Sequence, residues 1–85
     1  MRRDRDAFLR LIESILAQTS DPWVLENLGA GPLEDLLTTG DPTVIDFIEK
    51  KYRTYPNLVE AMRYMWMDDF PAHSRQFAEK ILTES

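Results

Sequence analysis

An all-α fold, a compact bundle of five to six short helices, is what three observations predict. Apolar residues recur at three- and four-residue spacing along most of the chain, no segment alternates polar and apolar residues as a strand would, and the five prolines each open an apolar-periodic run. Proline suits the first turn of a helix because its missing N–H would be unpaired there in any case. A HEAT-like stack of helix pairs is one form such a bundle can take. One echo favours it: DPWVLENL (Asp21 to Leu28) matches DPTVIDFI (Asp41 to Ile48) at Asp, Pro, Val and the aliphatic and acidic positions that follow. A shared way of starting helices gives the same likeness.

The first helix is expected from Asp4 to Gln18, with Phe8, Leu11, Ile12, Ile15 and Leu16 as one inward stripe and charges opposite. Asp21-Pro22 reads as N-cap and first residue of a two-turn helix carrying Trp23, Val24 and Leu28, which Gly29 ends by taking a positive φ. Gly31-Pro32 restarts the chain, and Glu34 falls three residues after Gly31, where a carboxylate favours the exposed N–H groups and the positive helix end. Leu33, Leu36 and Leu37 face the core and Gly40 closes the turn. Asp41-Pro42 caps a fourth helix reaching about Tyr52, with Val44, Ile45, Phe47, Ile48 and Tyr52 inward and Lys50, Lys51 and Arg53 at its negative end. A fifth helix from Tyr55-Pro56 carries Leu58, Val59, Met62, Met65 and Trp66. A sixth, from Pro71 or Ser74 to Leu82, carries Phe77, Ala78, Ile81 and Leu82.

At 85 residues the chain is long enough for one modest core, so a single helical domain over 1–85 is expected, with no room for a large enclosed active site. The absence of cysteine removes disulfides, thiolate nucleophiles and zinc-thiolate sites together. No apolar run approaches membrane-spanning length and the first residues lack a signal-peptide core, so a cytoplasmic protein with no membrane association is expected.

The residues GAGPLEDLL (Gly29 to Leu37), followed by Ile45-Asp46, Ile48-Glu49 and then Trp66, resemble a bacterial family of uncharacterised small helical domains with a Gly-Pro-Leu-Glu-Asp-Leu-Leu signature. The likeness spans about half the chain. It implies helical architecture and a bacterial or phage origin, and it implies no chemistry. Met65 departs from the small aliphatic residue that usually precedes the family's closing Trp.

Catalytic parts are missing from the sequence. His73 is the one histidine, Ser74 sits beside it in sequence, and there is no glycine-rich phosphate loop or His-Glu-x-x-His spacing. Glu34-Asp35, Asp46-Glu49 and Asp68-Asp69 are the carboxylate clusters that could serve as an acid/base pair or a magnesium site, but capping and solvation account for each. No catalytic residue, metal or cofactor is therefore assigned, and the chain is not read as an enzyme.

Charge placement is more informative. From Leu11 to Glu49 there is no Lys or Arg but eight acids: Glu13, Asp21, Glu26, Glu34, Asp35, Asp41, Asp46 and Glu49. All ten cations and the other seven acids lie outside this stretch, in a chain of net charge −5. A one-signed surface of this kind repels nucleic-acid phosphates and anionic membranes and speeds association with basic proteins, although acids that cap helices and maintain solubility give the same composition. Direct nucleic-acid binding is disfavoured.

The candidate partner-binding residues are Glu26, Glu34, Asp35, Asp41, Asp46, Glu49 and Trp23, where Trp23 or Tyr55, if exposed within the acidic field, would supply an aromatic anchor. The functional expectation is a small acidic protein-binding domain of inhibitor or immunity type, in toxin neutralisation or phage anti-defence, covering a basic surface of a nuclease or nucleic-acid-binding complex. The alternative is a generic helical interaction or homodimerisation module, for which Tyr64 and Met67, off the inward stripe, would provide a second apolar patch.

Overall fold

Leu9, Ile12 and Leu16 form the buried face of the first helix, α1 (Arg2–Gln18), in the computed structural model of the chain, which describes residues 2–84 and side chains from Arg5 onward. Met1 and Ser85 of the expected domain lie outside the described residues. The inward stripe is therefore rotated from the expected one. Leu9 replaces Leu11, which is 54% exposed, and Phe8 and Ile15 are half-buried at the edge of the core. The reason is the breadth of the apolar arc on α1. Successive residues turn by about 100°, so positions 7, 8, 9, 11, 12, 15 and 16 cover more than half the circumference, and one layer of neighbours buries only part of it.

Helix α2 (Pro22–Leu28) starts as expected, with the Asp21 side chain accepting the N–H of Trp23 at 2.8 Å. Its buried residues are Leu25 and Leu28, while Val24 is half-buried and Trp23 projects outward. Gly29 does not end it. Gly29 is right-handed helical at φ −70°, and the chain continues through a π-turn (Gly29–Leu33) into α3 (Glu34–Thr38). Gly31-Pro32 is thus no restart. Pro32 has no N–H to give and its ring collides with a carbonyl one α-turn back, so the helix widens by one residue around it, and the Glu34 N–H reaches the carbonyl of Gly29. The widened turn keeps Leu33, Leu36 and Leu37 on the buried side with Leu25 and Leu28.

Gly40, at φ +69°, closes the rod in a conformation that L side chains rarely adopt. Helix α4 (Pro42–Lys51) is capped by Asp41, whose side chain accepts the Thr43 N–H at 2.8 Å. The likeness between Asp21–Leu28 and Asp41–Ile48 thus corresponds to two Asp-Pro helix starts capped in the same way. Val44 and Ile48 are buried, with Ile45, Phe47 and Tyr52 packed at the margin.

Helix α5 (Pro56–Met62) runs against α2 so closely that Gly29 touches the backbone of Ala61. It also carries Asn57, whose side-chain amide donates to the carbonyls of Leu16 (2.8 Å) and Thr19 (2.7 Å), satisfying acceptors that the end of α1 leaves open. Helix α5 stops at Met62, earlier than expected. Tyr64 and Met65 make three-residue-back bonds to Ala61 and Met62, and the chain then leaves the helix as an irregular segment up to Pro71. Met65 and Phe70 anchor this segment in the core, whereas Trp66, expected inward, is 66% exposed.

Helix α6 (Ala72–Glu84) completes the core with Ala78 and Ile81. Arg75 folds back and donates to the carbonyls of Met67 (3.0 Å) and Asp68 (3.3 Å), giving the irregular segment the partners its backbone needs. No strand occurs among the described residues, and the bundle measures 31 × 31 × 20 Å.

Candidate functional site

The cation-free stretch does not form an evenly charged surface. The Lys51 ammonium meets Glu13 Oε2 at 3.0 Å, where the Tyr55 hydroxyl also donates at 3.2 Å; Lys50 pairs with Asp46 at 3.0 Å; Arg5 pairs with Asp41. These cations come from just outside the stretch and fold back over it. Asp21 is committed to capping α2.

Two of these acids are held ionised below the ordinary carboxylate range. For Glu13 the main cause is the hydrogen bond from Lys51, opposed by partial burial and helped by Tyr55. For Asp41 it is the Thr43 N–H, again against burial, with the Arg5 charge adding to it. Tyr55 is pushed up, mainly by burial and then by the adjacent Glu13 carboxylate. Tyr55 is half-buried and tied to α1, so it is not an exposed aromatic anchor.

The sequence-predicted residues divide as follows. Asp41 and Asp46 have cationic partners within the chain. Glu49, exposed on α4, adds to the field around Arg53, whose charge is reinforced first by the hydroxyl of Tyr52 and then by Glu84 and Glu49. Glu26 and Asp35 are exposed on the α2–α3 rod and make no ion pair or side-chain hydrogen bond among the described residues. Trp23, three residues before Glu26, is 72% exposed. Glu34 is not a capping residue. Its carboxylate reaches across to the backbone N–H of Trp66 at 2.7 Å, so the second exposed tryptophan is mounted beside Glu34 and Asp35.

Sequence reasoning missed two exposed apolar positions, Leu11 and Trp66. The signal for Leu11 was the excess width of the apolar arc on α1. For Trp66 it was the run Tyr64-Met65-Trp66-Met67, apolar at every position, which no helical face can bury whole.

Two shallow apolar grooves lie along the outer flank of α1. One, of about 510 Å³, is lined by Arg5, Ala7, Phe8 and Leu11. The other, of about 220 Å³, is lined by Ile15, Trp23, Val24, Asn27, Leu28 and Pro32. A third groove, of about 390 Å³ between α1 and α4, has Leu9 and Phe47 in its wall together with the charged Asp6, Arg10, Glu13 and Lys51.

The His73 ring nitrogen Nε2 lies 2.9 Å from the carbonyl of Gly40, which ties α6 to the turn before α4, and the neighbouring Ser74 is buried in the core. Asp68 and Asp69 are exposed in the irregular segment. Among the described residues no three His, Cys, Asp or Glu side chains group as metal ligands, and no helix is long and apolar enough to cross a membrane.

The arrangement is that of a small all-α domain whose distinctive surface consists of exposed aromatic side chains, an apolar helix flank and unpaired carboxylates. The chain belongs to a protein family of unknown function (DUF6869), which it matches over residues 1–83. Comparison with curated proteins and with solved structures finds no match.

Proposed function

We propose that the chain is a small acidic protein-binding domain of inhibitor or immunity type, which covers a basic, nucleic-acid-handling surface of a partner in toxin neutralisation or phage anti-defence. The observation that carries this reading is the setting of Trp66: an exposed side chain whose backbone N–H is held by Glu34, next to the unpaired Asp35, both of them in the part of the chain, residues 11–49, that contains no cation. Aromatic anchors supply much of the energy of an interface, and surrounding carboxylates select a basic partner and speed its approach. Glu26 and Glu49 extend the same sign of charge without being used to hold the fold. Asp41 and Asp46 contribute less than the sequence suggests, because Arg5 and Lys50 already neutralise them.

The test is affinity capture from a lysate of the source organism at low salt, repeated at about 0.5 M salt, where the Debye length falls to a few ångströms. A basic nuclease or nucleic-acid-binding protein that is retained at low salt, washes off at high salt and loses activity when the chain is added supports the reading. The triple reversal Glu26→Lys, Asp35→Lys, Glu49→Lys and the single change Trp66→Ala should each abolish that capture while the far-ultraviolet circular dichroism remains helical. Retention of the same partner by both variants would sink the proposal, as would a captured set without basic proteins.

A further inference from the structure

Every charged residue of the α2–α3 rod is an acid. Glu26 and Asp35 are exposed and make no ion pair or side-chain hydrogen bond among the described residues, while Glu34 and the preceding cap Asp21 each give one carboxylate oxygen to a backbone N–H. The cations that fold back over the acidic stretch do not reach the rod: Arg5, Lys50 and Lys51 go to Asp41, Asp46 and Glu13. The negative charge of the rod is therefore uncompensated within the chain.

Along the same rod runs the groove of about 220 Å³ walled by Ile15, Trp23, Val24, Asn27, Leu28 and Pro32. Glu26 follows Trp23 by three residues and Asp35 follows Pro32 by three, so each free carboxylate stands one helical turn from a groove residue. The one polar side chain of the wall, Asn27, donates from its amide nitrogen to the Trp23 carbonyl at 2.7 Å, which leaves its oxygen open as an acceptor. An apolar slot, an exposed indole and free acceptors of one sign thus lie together.

We propose that this groove receives a basic amphipathic helix of the partner, whose apolar side chain packs on the Trp23 ring while flanking lysines or arginines pair with Glu26 and Asp35. The inference rests on the reading of the chain as an acidic protein-binding domain and adds to it the kind of segment recognised and the place that recognises it. Charge selects the occupant's sign, and the indole face adds a cation–π contact for a lysine or arginine beside it. Shape selects its form. Trp23 and Pro32 are nine residues apart, about 13 Å along the rod, which matches two turns of a helix laid alongside. An extended peptide would need a sheet edge, and no strand occurs among the described residues. The groove is also smaller than the roughly 300–1,000 Å³ of small-molecule sites, as suits a pocket for a single anchoring side chain.

The probe is a synthetic helix of about four turns with leucine on one face and lysine on the other, and its control carries glutamate in place of lysine. Trp66→Phe leaves Trp23 as the one indole, so its emission reports the groove. In that background the lysine peptide, added up to about 1 mM, should shift Trp23 emission to shorter wavelength. Glu26→Lys with Asp35→Lys should weaken binding by about 10-fold or more, and so should a rise in salt from about 0.05 to 0.5 M. Asp69→Lys with Glu79→Lys makes the same change in net charge at exposed positions outside the groove wall, and should stay within about 3-fold of the background. All variants should keep a helical circular-dichroism spectrum, because none alters a buried residue. An unmoved Trp23 emission, an equal response to the glutamate peptide, or equal losses from the two reversals overturns the proposal. So does an emission shift on concentrating the chain alone, which assigns the groove to a second copy. A basic nuclease captured as well by Trp23→Ala as by wild type removes the groove and leaves the inhibitor reading standing. Groove binding of the lysine peptide by a chain that captures no basic protein from the lysate does the reverse.

Discussion

Glu34 Oε1 accepts the backbone N–H of Trp66 at 2.7 Å, joining two positions 32 residues apart through one carboxylate. The bond ties the α2–α3 rod to the irregular segment between α5 and α6, whose other supports are the buried side chains of Met65 and Phe70 and the guanidinium of Arg75. A charged acceptor makes a stronger hydrogen bond than a neutral one, but partial solvent exposure takes back part of the gain. Glu34→Ala should therefore cost about 0.5–1.5 kcal/mol. The local readout is hydrogen exchange: the Trp66 amide should exchange markedly faster while amides in α1 and α6 change little. Uniform acceleration across the chain would show that the bond supports the whole fold and not this segment.

Glycine substitutions should have opposite effects two residues apart. A Cβ on Gly29 would stand 1.8 Å from the Ala61 carbonyl oxygen, a backbone atom that cannot move aside without parting α5 from the rod. Gly29→Ala should cost about 3 kcal/mol or more, in the range of overpacked cores and their strain. A Cβ on Gly31 meets nothing within 4 Å, and the position is helical. Gly31→Ala should stabilise by about 0.5–1 kcal/mol by removing backbone freedom from the unfolded chain. Urea unfolding midpoints of the two variants, on either side of wild type, check both.

The two Asp-Pro caps are chemically alike but differ in their surroundings. Asp21→Ala removes one bond to the Trp23 N–H and should cost about 1 kcal/mol. Asp41→Ala also deprives Arg5 of its partner, on a guanidinium whose Nε is already buried without one, so its cost should exceed that of Asp21→Ala by about 1 kcal/mol. Equal losses in thermal unfolding would mean that the Arg5 contact contributes nothing.

The dependence of stability on acid follows from Glu13 and Asp41. Both carboxyls are lowered in the folded chain, Glu13 first by the Lys51 hydrogen bond and Asp41 first by the Thr43 N–H. A group with a depressed folded pKa stabilises the fold above its unfolded value, about 4, and loses that contribution as the pH falls through the lower folded value. Stability should accordingly be flat from neutral pH to about 5 and decline below about 4. The double variant Glu13→Gln, Asp41→Asn should show a lower plateau and a shallower decline. Urea midpoints measured at intervals between pH 7 and 2.5 provide the comparison, and an unchanged acid slope in the variant would assign the loss to other carboxyls.

The helix starts were legible because they are written locally. Asp21-Pro22 and Asp41-Pro42 carry both the capping oxygen and the fixed φ, and the structure begins α2 and α4 at those prolines. Helix ends and faces were less legible because they depend on what lies opposite. Gly29 has the composition of a stop, yet it is needed for its missing Cβ against Ala61 and not for a positive φ. Leu11 and Leu9 are equally apolar, and only the position of the neighbouring elements decides which is covered. At the candidate site, the absence of cations over 39 residues was plain in the sequence. The pairing of Lys50 with Asp46 is an i,i+4 contact within α4, but the return of Arg5 to Asp41 and of Lys51 to Glu13 was not legible, since those pairings span 36 and 38 positions and exist only once α1 and α4 are placed.

The widened turn around Pro32 stores one residue inside a continuous rod. Leu28 and Leu33 remain on the same side although five positions separate them, where an ordinary turn would use four. Deleting one residue between these two leucines, with Pro32 replaced, should restore an ordinary α-turn and keep both on the buried side. Relatives that lack a proline at this place should be one residue shorter there. A single-residue gap in their alignment would then mark a change of helical pitch and not the position of a loop.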